Sequence, residues 1–170
     1  AARAFRTRAG ALDDDVLIAF VGRFNRWKGQ LVLIDALDLL WQRGIANVCA
    51  VFVGGPPPSE PHHLEQLRSR IASSRHADRI AVLDFMDDVS PAWDGCGIAV
   101  VPSTEPEPFG LVAIEAMAAS KPVVAAGHGG LLDIVEHQVT GLLVQPGDVH
   151  ALGDALAHLV ADGALRREMG

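Results

Sequence analysis

Short, almost uninterrupted runs of apolar residues alternate along this chain with longer segments of helical period, and that alternation restricts the fold more than any other feature. The runs are Val16 to Val21, Val48 to Val53, Ile80 to Leu83, Ile98 to Val101, Val123 to Ala126 and Gly141 to Val144. A strand that is apolar at nearly every position has no face to offer water, so it needs cover on both sides, as in a parallel sheet crossed by helices. Between the runs, Gln30 to Arg43 sets Leu31, Ile34, Leu37 and Leu40/Trp41 on one helical face and stops at Gly44. Glu60 to Ser74 repeats the pattern with Leu64, Leu67 and Ile71, and Leu111 to Ala119, Leu131 to Glu136 and Val149 to Ala161 complete the set. Asp148 stands where the last of these needs an N-cap. The expectation is an α/β, Rossmann-like three-layer sandwich built on a six-stranded parallel sheet with at least five helices.

Residues 1–15 show little period. Arg3, Arg6 and Arg8 are followed by Asp13-Asp14-Asp15, and the segment reads as a linker or docking arm ahead of a domain spanning 16–170. The chain opens Ala1-Ala2-Arg3, without an initiator Met, and reads as a piece of a longer or processed protein.

Composition narrows the partners. Fourteen basic against 21 acidic side chains give a net charge of −7, which lacks the basic footprint of a nucleic-acid binder. No apolar run approaches the roughly 20 residues of a membrane-spanning helix. Two cysteines, Cys49 and Cys96, lack CxxC spacing and read as packed thiols in a reducing, cytoplasmic setting.

In a doubly wound sheet, ligands sit beyond the carboxyl ends of the strands where the strand order reverses, which in the common six-stranded order is between the first and fourth. The loop after the first run, Gly22-Arg23-Phe24-Asn25-Arg26-Trp27-Lys28-Gly29, sets Arg and Lys beside the N–H groups that open a helix. That is an anion site in outline. The loop after the fourth run, Pro102 to Gly110, ends at a second helix start near Leu111, whose amides can cradle a phosphate. Glu115, in the second turn of that helix, can accept hydrogen bonds from a ligand diol. Glu105 reads first as an exposed loop charge, Phe109 and Trp27 read also as core aromatics, and Gly129-Gly130 reads equally as a plain helix-entry turn. GxGxxG, GxxxxGK[ST] and HExxH are all missing, and His62-His63 point about 100° apart on a helix, so no dinucleotide fingerprint, Walker loop or metal site is expected.

Taken together, Val21-Gly22-Arg23 with Lys28-Gly29, Glu107-Pro108-Phe109-Gly110-Leu111-Val112-Ala113-Ile114-Glu115-Ala116-Met117, Lys121-Pro122-Val123-Val124-Ala125, Gly129-Gly130 and Thr140-Gly141-Leu142-Leu143-Val144 resemble the group 1, or family 4, retaining glycosyltransferases. The resemblance runs from Val16 to Ala161, and the E-x7-E spacing of Glu107 and Glu115 is its strongest element. It implies the C-terminal, donor-binding half of a GT-B enzyme, with the N-terminal acceptor-binding half outside this chain. It implies that Gly22, Arg23 and Lys28 meet the diphosphate of a nucleoside-diphosphate sugar. Glu107 and the backbone of Phe109, Gly110 and Leu111 would meet the sugar and phosphates, and Glu115 the ribose. Arg23, Lys28 and Glu107 are then the candidates for catalysis, and Asp84-Phe85-Met86-Asp87 would line the base. Met86 and Ser120 stand where that family usually has Gly. The resemblance further implies a front-face reaction without a metal or other cofactor, and a cytoplasmic enzyme whose full length is able to associate peripherally with a membrane. The isolated fragment is expected to bind donor without catalysing transfer.

Two other readings compete. A sugar-nucleotide epimerase shares the fold but needs further acid–base groups. A phosphate-accepting signalling module needs its acidic pocket after the first strand, whereas Asp13-Asp14-Asp15 precede it.

Overall fold

The computed structural model describes residues 1–170. All six strands fall where the apolar runs place them: β1 (Val16–Val21), β2 (Val48–Val53), β3 (Ile80–Leu83), β4 (Ile98–Val101), β5 (Val123–Ala126) and β6 (Gly141–Val144). They form one sheet of order β3-β2-β1-β4-β5-β6, with every neighbouring pair parallel. The order reverses between β1 and β4. There the ladder holds only Ile18↔Ile98 and Ala19↔Ala99, so the carboxyl ends of these two strands are not laddered to each other. A crevice opens where they part.

The helices are α1 (Ala2–Arg8), α2 (Gln30–Gln42), α3 (His62–Ala72), α4 (Ser90–Gly95), α5 (Leu111–Ala118), α6 (Leu131–Ile134), α7 (Val149–Ala161) and α8 (Gly163–Met169). Strand alternation divides the core. Ile18, Phe20, Ala50 and Phe52 point to the layer of α2, α3 and α7, where Phe20 lies 5.4 Å from Phe52 and 6.2 Å from Phe24 between ring centres. Leu17, Ala19, Cys49 and Val51 point to the other layer, that of α1, α4, α5 and α6. The second layer is rich in small side chains, among them Ala19, Ala99, Ala113, Ala116 and Ala125, which let α5 lie close on the sheet. Each fully buried Phe, Leu or Ile in these layers stabilises the fold by about 1.5–3 kcal/mol.

Local signals set the ends of the helices. Asp148 Oδ1 accepts from Ala151 N at 2.9 Å and caps α7, and Asp162 Oδ1 accepts from Leu165 N at 2.9 Å and caps α8. Residues 1–15, read from sequence as a linker or docking arm, carry α1. Its Phe5 is buried in the second layer against α4, and Arg6 donates to the carbonyls of Gly95, Leu12 and Asp15. The segment is thereby fastened to the domain. Asp15 also pairs with Arg79 at 2.6 Å, tying the start of β1 to the start of β3.

Candidate functional site

The loop after β1 is shaped by its own side chains. Asn25 Oδ1 accepts from the N–H groups of Trp27 (3.1 Å) and Lys28 (3.0 Å), a local turn that aims Lys28 across the crevice. Gln30 Nε2 donates to Asn25 O at 2.7 Å and closes the turn onto the first residue of α2. Gly29 has φ 78°, and a Cβ there would lie 1.9 Å from Pro102 O. Only glycine lets the β1 and β4 loops come this close. Thr104 N donates to Trp27 O at 2.7 Å across the same junction.

On the β4 side, Glu107 is buried at 5% exposure and its carboxylate faces Lys28. Lys28 Nζ donates to Glu107 Oε1 at 2.5 Å, and Ser103 Oγ donates to the same oxygen at 2.7 Å. Lys28 also sits 4.5 Å from the centre of the Trp27 ring, so the ammonium is held between an aromatic face and a carboxylate. The Glu107 backbone is fixed in turn by Gly130 N, which donates to Glu107 O at 2.7 Å. Arg26 pairs with Glu105 on the outer rim. Arg23 is exposed and has no carboxylate partner, which leaves its charge free for a ligand.

Helix α5 begins at Gly110, which takes the left-handed conformation (φ 62°). Ala113 N and Ile114 N turn back to Gly110 O, while the N–H groups of Gly110, Leu111 and Val112 find no acceptor in the chain. Those donors carry the positive end of the helix dipole and suit an anion.

The resulting crevice encloses about 780 Å³ and brings Gly22, Arg23, Lys28, Glu107, Phe109, Gly110 and Leu111 together. A second cavity of about 380 Å³ joins it at Gly22 and Arg23. Met86, Phe85, Val89 and the run Pro56-Pro57-Pro58 wall that cavity, and Arg23 is its one charged side chain. Its largely apolar walls suit a heterocyclic base. Glu115 lines neither: it is exposed on α5 and edges a shallow depression with Ser90 and Trp93 that meets the second cavity at Val89. The core-aromatic reading of Phe109 does not hold, since Phe109 is 75% exposed at the mouth of the crevice, where the β4 loop turns into α5 and the ring meets solvent. Trp27 is half-buried against Lys28.

Asn25, Ser103, His128 and the triple-proline wall escaped the sequence reading. Asn25 carried a usable signal, because Asn inside a strand-to-helix loop favours such a turn. Ser103 and His128 carried none beyond their places at the ends of β4 and β5.

No group of three or more His, Cys, Asp or Glu gathers as a metal site, and no helix is long and apolar enough to cross a membrane. Burial pushes the Cys96 thiol up to about 12 and that of Cys49, with help from Asp15, to about 11. Neither thiol is a nucleophile near neutral pH.

Against known proteins, residues 2–170 match the family model for glycosyl transferases group 1. An uncharacterized glycosyltransferase of Methanocaldococcus jannaschii is 34% identical over 95% of the chain, and the D-inositol 3-phosphate glycosyltransferase of Corynebacterium glutamicum is 38% identical over 91%. The matched region is 40% and 37% of those proteins, so the chain spans about two fifths of their length. Anabaena HepE, solved with UDP and glucose, superposes with a TM-score of 0.90 at 32% identity over 98% of this chain and 44% of its own. The same protein has been solved with UDP-glucose.

Proposed function

Because the chain belongs to the group 1 glycosyltransferases, we propose that it is the donor-binding part of a retaining enzyme that takes a sugar from a nucleoside-diphosphate sugar, the acceptor being bound by a part of the protein outside this chain. The observation that carries this reading is the convergence, at the reversal between β1 and β4, of free Arg23, Lys28 and the unpartnered amides of α5 on one crevice. The UDP and UDP-glucose bound to Anabaena HepE support a nucleotide sugar as the ligand.

In this reading the diphosphate lies between Arg23, Lys28 and the start of α5, the base enters the apolar cavity beside Met86, and Glu115 meets the ribose from the adjoining depression. Transfer breaks the bond between the anomeric carbon and the phosphate oxygen, and negative charge grows on the leaving diphosphate. Arg23, Lys28 and the α5 amides stabilise that charge in place of a metal ion. The acceptor oxygen attacks from the same face, forms the new bond to the anomeric carbon, and passes its proton to the leaving phosphate. Glu107 positions the sugar in this scheme. One of its oxygens is already engaged by Lys28 and Ser103, which argues against its acting as a free nucleophile.

The chain alone is expected to bind without transferring, because the acceptor site and the wall that excludes water belong elsewhere in the protein. Thermal melts with UDP, GDP and ADP, each with and without EDTA, test this. At least one nucleotide should raise the Tm by the same amount in both conditions. No rise with any of the three, or a rise only with added divalent cation, contradicts the reading.

A further inference from the structure

We propose that His128 and Ser103 are positioning residues that hold the Glu107 carboxylate with one oxygen on Lys28 and the other turned to the donor sugar. The inference rests on the reading of the crevice as a nucleotide-sugar site and assigns a function to the turn after β5 that faces it.

The two oxygens of Glu107 are not equivalent. Oε1 accepts from both Lys28 Nζ and Ser103 Oγ, whereas Oε2 accepts nothing from the protein. The only sealed side-chain polar atoms without a partner are Gln30 Oε1 and Trp93 Nε1, so Glu107 Oε2 is open to the crevice that Glu107 lines. It is a carboxylate acceptor placed where a sugar hydroxyl can donate to it.

Lys28 alone does not fix this arrangement. An ammonium is satisfied by either carboxylate oxygen or by both, and the terminal torsion of a glutamate is broad and nearly two-fold. Ser103 removes the ambiguity: it is fully buried, and its hydroxyl reaches Oε1 from inside the protein. Ser103 is held in turn by His128, whose Nε2 lies 2.8 Å from Ser103 O. A carbonyl oxygen only accepts, so Nε2 carries the proton, and the ring is fixed in that tautomer when neutral. Two residues on, Gly130 N holds the Glu107 backbone. The β5 turn therefore grips Glu107 twice, once through its main chain and once through the path from His128 to Ser103 to the carboxylate.

Losing either side chain should free the carboxylate to turn both oxygens toward Lys28, which weakens sugar recognition and leaves diphosphate recognition almost untouched. The test is calorimetric titration of the parent, Ser103→Ala, His128→Ala and His128→Gln. The ligands are whichever of UDP, GDP and ADP raises the Tm most, and its glucose conjugate. Ser103→Ala and His128→Ala should lose about five- to tenfold in affinity for the glucose conjugate and less than twofold for the bare nucleotide. His128→Gln, whose amide N–H can replace Nε2–H, should stay within about twofold of the parent for both ligands. In a Glu107→Ala background, His128→Ala should change the ratio of the two affinities no further, since its target is gone. Equal losses for both ligands, an unchanged ratio, or His128→Gln behaving like His128→Ala overturns the positioning role while leaving the nucleotide site standing. A parent that binds none of the nucleotides overturns the site reading, and this proposal with it.

Discussion

Replacing Lys28 by Met takes away the ammonium that faces Glu107 and leaves a carboxylate with Ser103 as its only side-chain donor. The two side chains are 18% and 7% exposed, so water can take over only part of what Lys28 supplied. Removing one partner of a fully buried pair destabilises by about 3–5 kcal/mol, while an exposed pair contributes about 0–1 kcal/mol. This pair lies between those limits and nearer the buried one, so Lys28→Met should destabilise by about 2–3 kcal/mol. For a domain of this size that lowers the Tm by roughly 5–10 °C. Glu107→Gln added to Lys28→Met removes the stranded charge, keeps the shape, and should recover part of the loss. Urea denaturation of the parent, the two single variants and the double variant, without nucleotide, gives the coupling directly. It should be at least about 1.5 kcal/mol. Additivity to within about 0.5 kcal/mol would mean that the two residues do not pair, and the description of the crevice would be wrong at its centre.

Arg23→Ala should leave stability nearly unchanged, because the guanidinium is exposed and unpaired, yet weaken nucleoside-diphosphate binding by about ten- to a hundredfold and nucleoside binding far less; equal losses in calorimetry would contradict its diphosphate role. Ser120 is held at φ 56°, a conformation that strains any residue with a Cβ, so Ser120→Gly should stabilise by about 0.5–1 kcal/mol despite the freedom glycine adds to the unfolded chain, as urea titration would report. Burial raises the Cys49 and Cys96 thiols from 9.0 to about 11 and about 12, so in the folded protein neither should react with a thiol-specific disulfide reagent at pH 8. The contribution of these thiols to stability is complete below about pH 9 and is lost as pH rises toward 11–12, because the unfolded chain ionises first.

The strands were legible because each is covered on both faces and so carries an unbroken apolar run; β1 and β2, six residues each, are buried along almost their whole length. Helix α1 was not. Seven residues leave room for one large apolar contact, Phe5, and a single contact has no period. Helix α4 is shorter still, at six residues. Helix α8 is likewise absent from the sequence reading: Asp162 caps it much as Asp148 caps α7, but its apolar face is reduced to Leu165 and Met169. At the site, the switch-point rule led to the two loops that line the crevice, since it depends only on strand order. The pairing of Lys28 with Glu107, 79 residues apart, and the path through Ser103 to His128 depend on how closely those loops approach, which Gly29 permits and no local pattern encodes.

The central claim is that this chain receives a nucleoside diphosphate between the β1 loop and the start of α5. Titrating the isotopically labelled protein with UDP, GDP or ADP in the presence of EDTA, and following its backbone amide resonances, tests that claim most directly. A saturable response concentrated at Gly22 to Gly29 and at Phe109 to Val112, with smaller changes around Met86, is the expected result. Saturable changes centred away from those loops, or none with any of the three nucleotides, would contradict it.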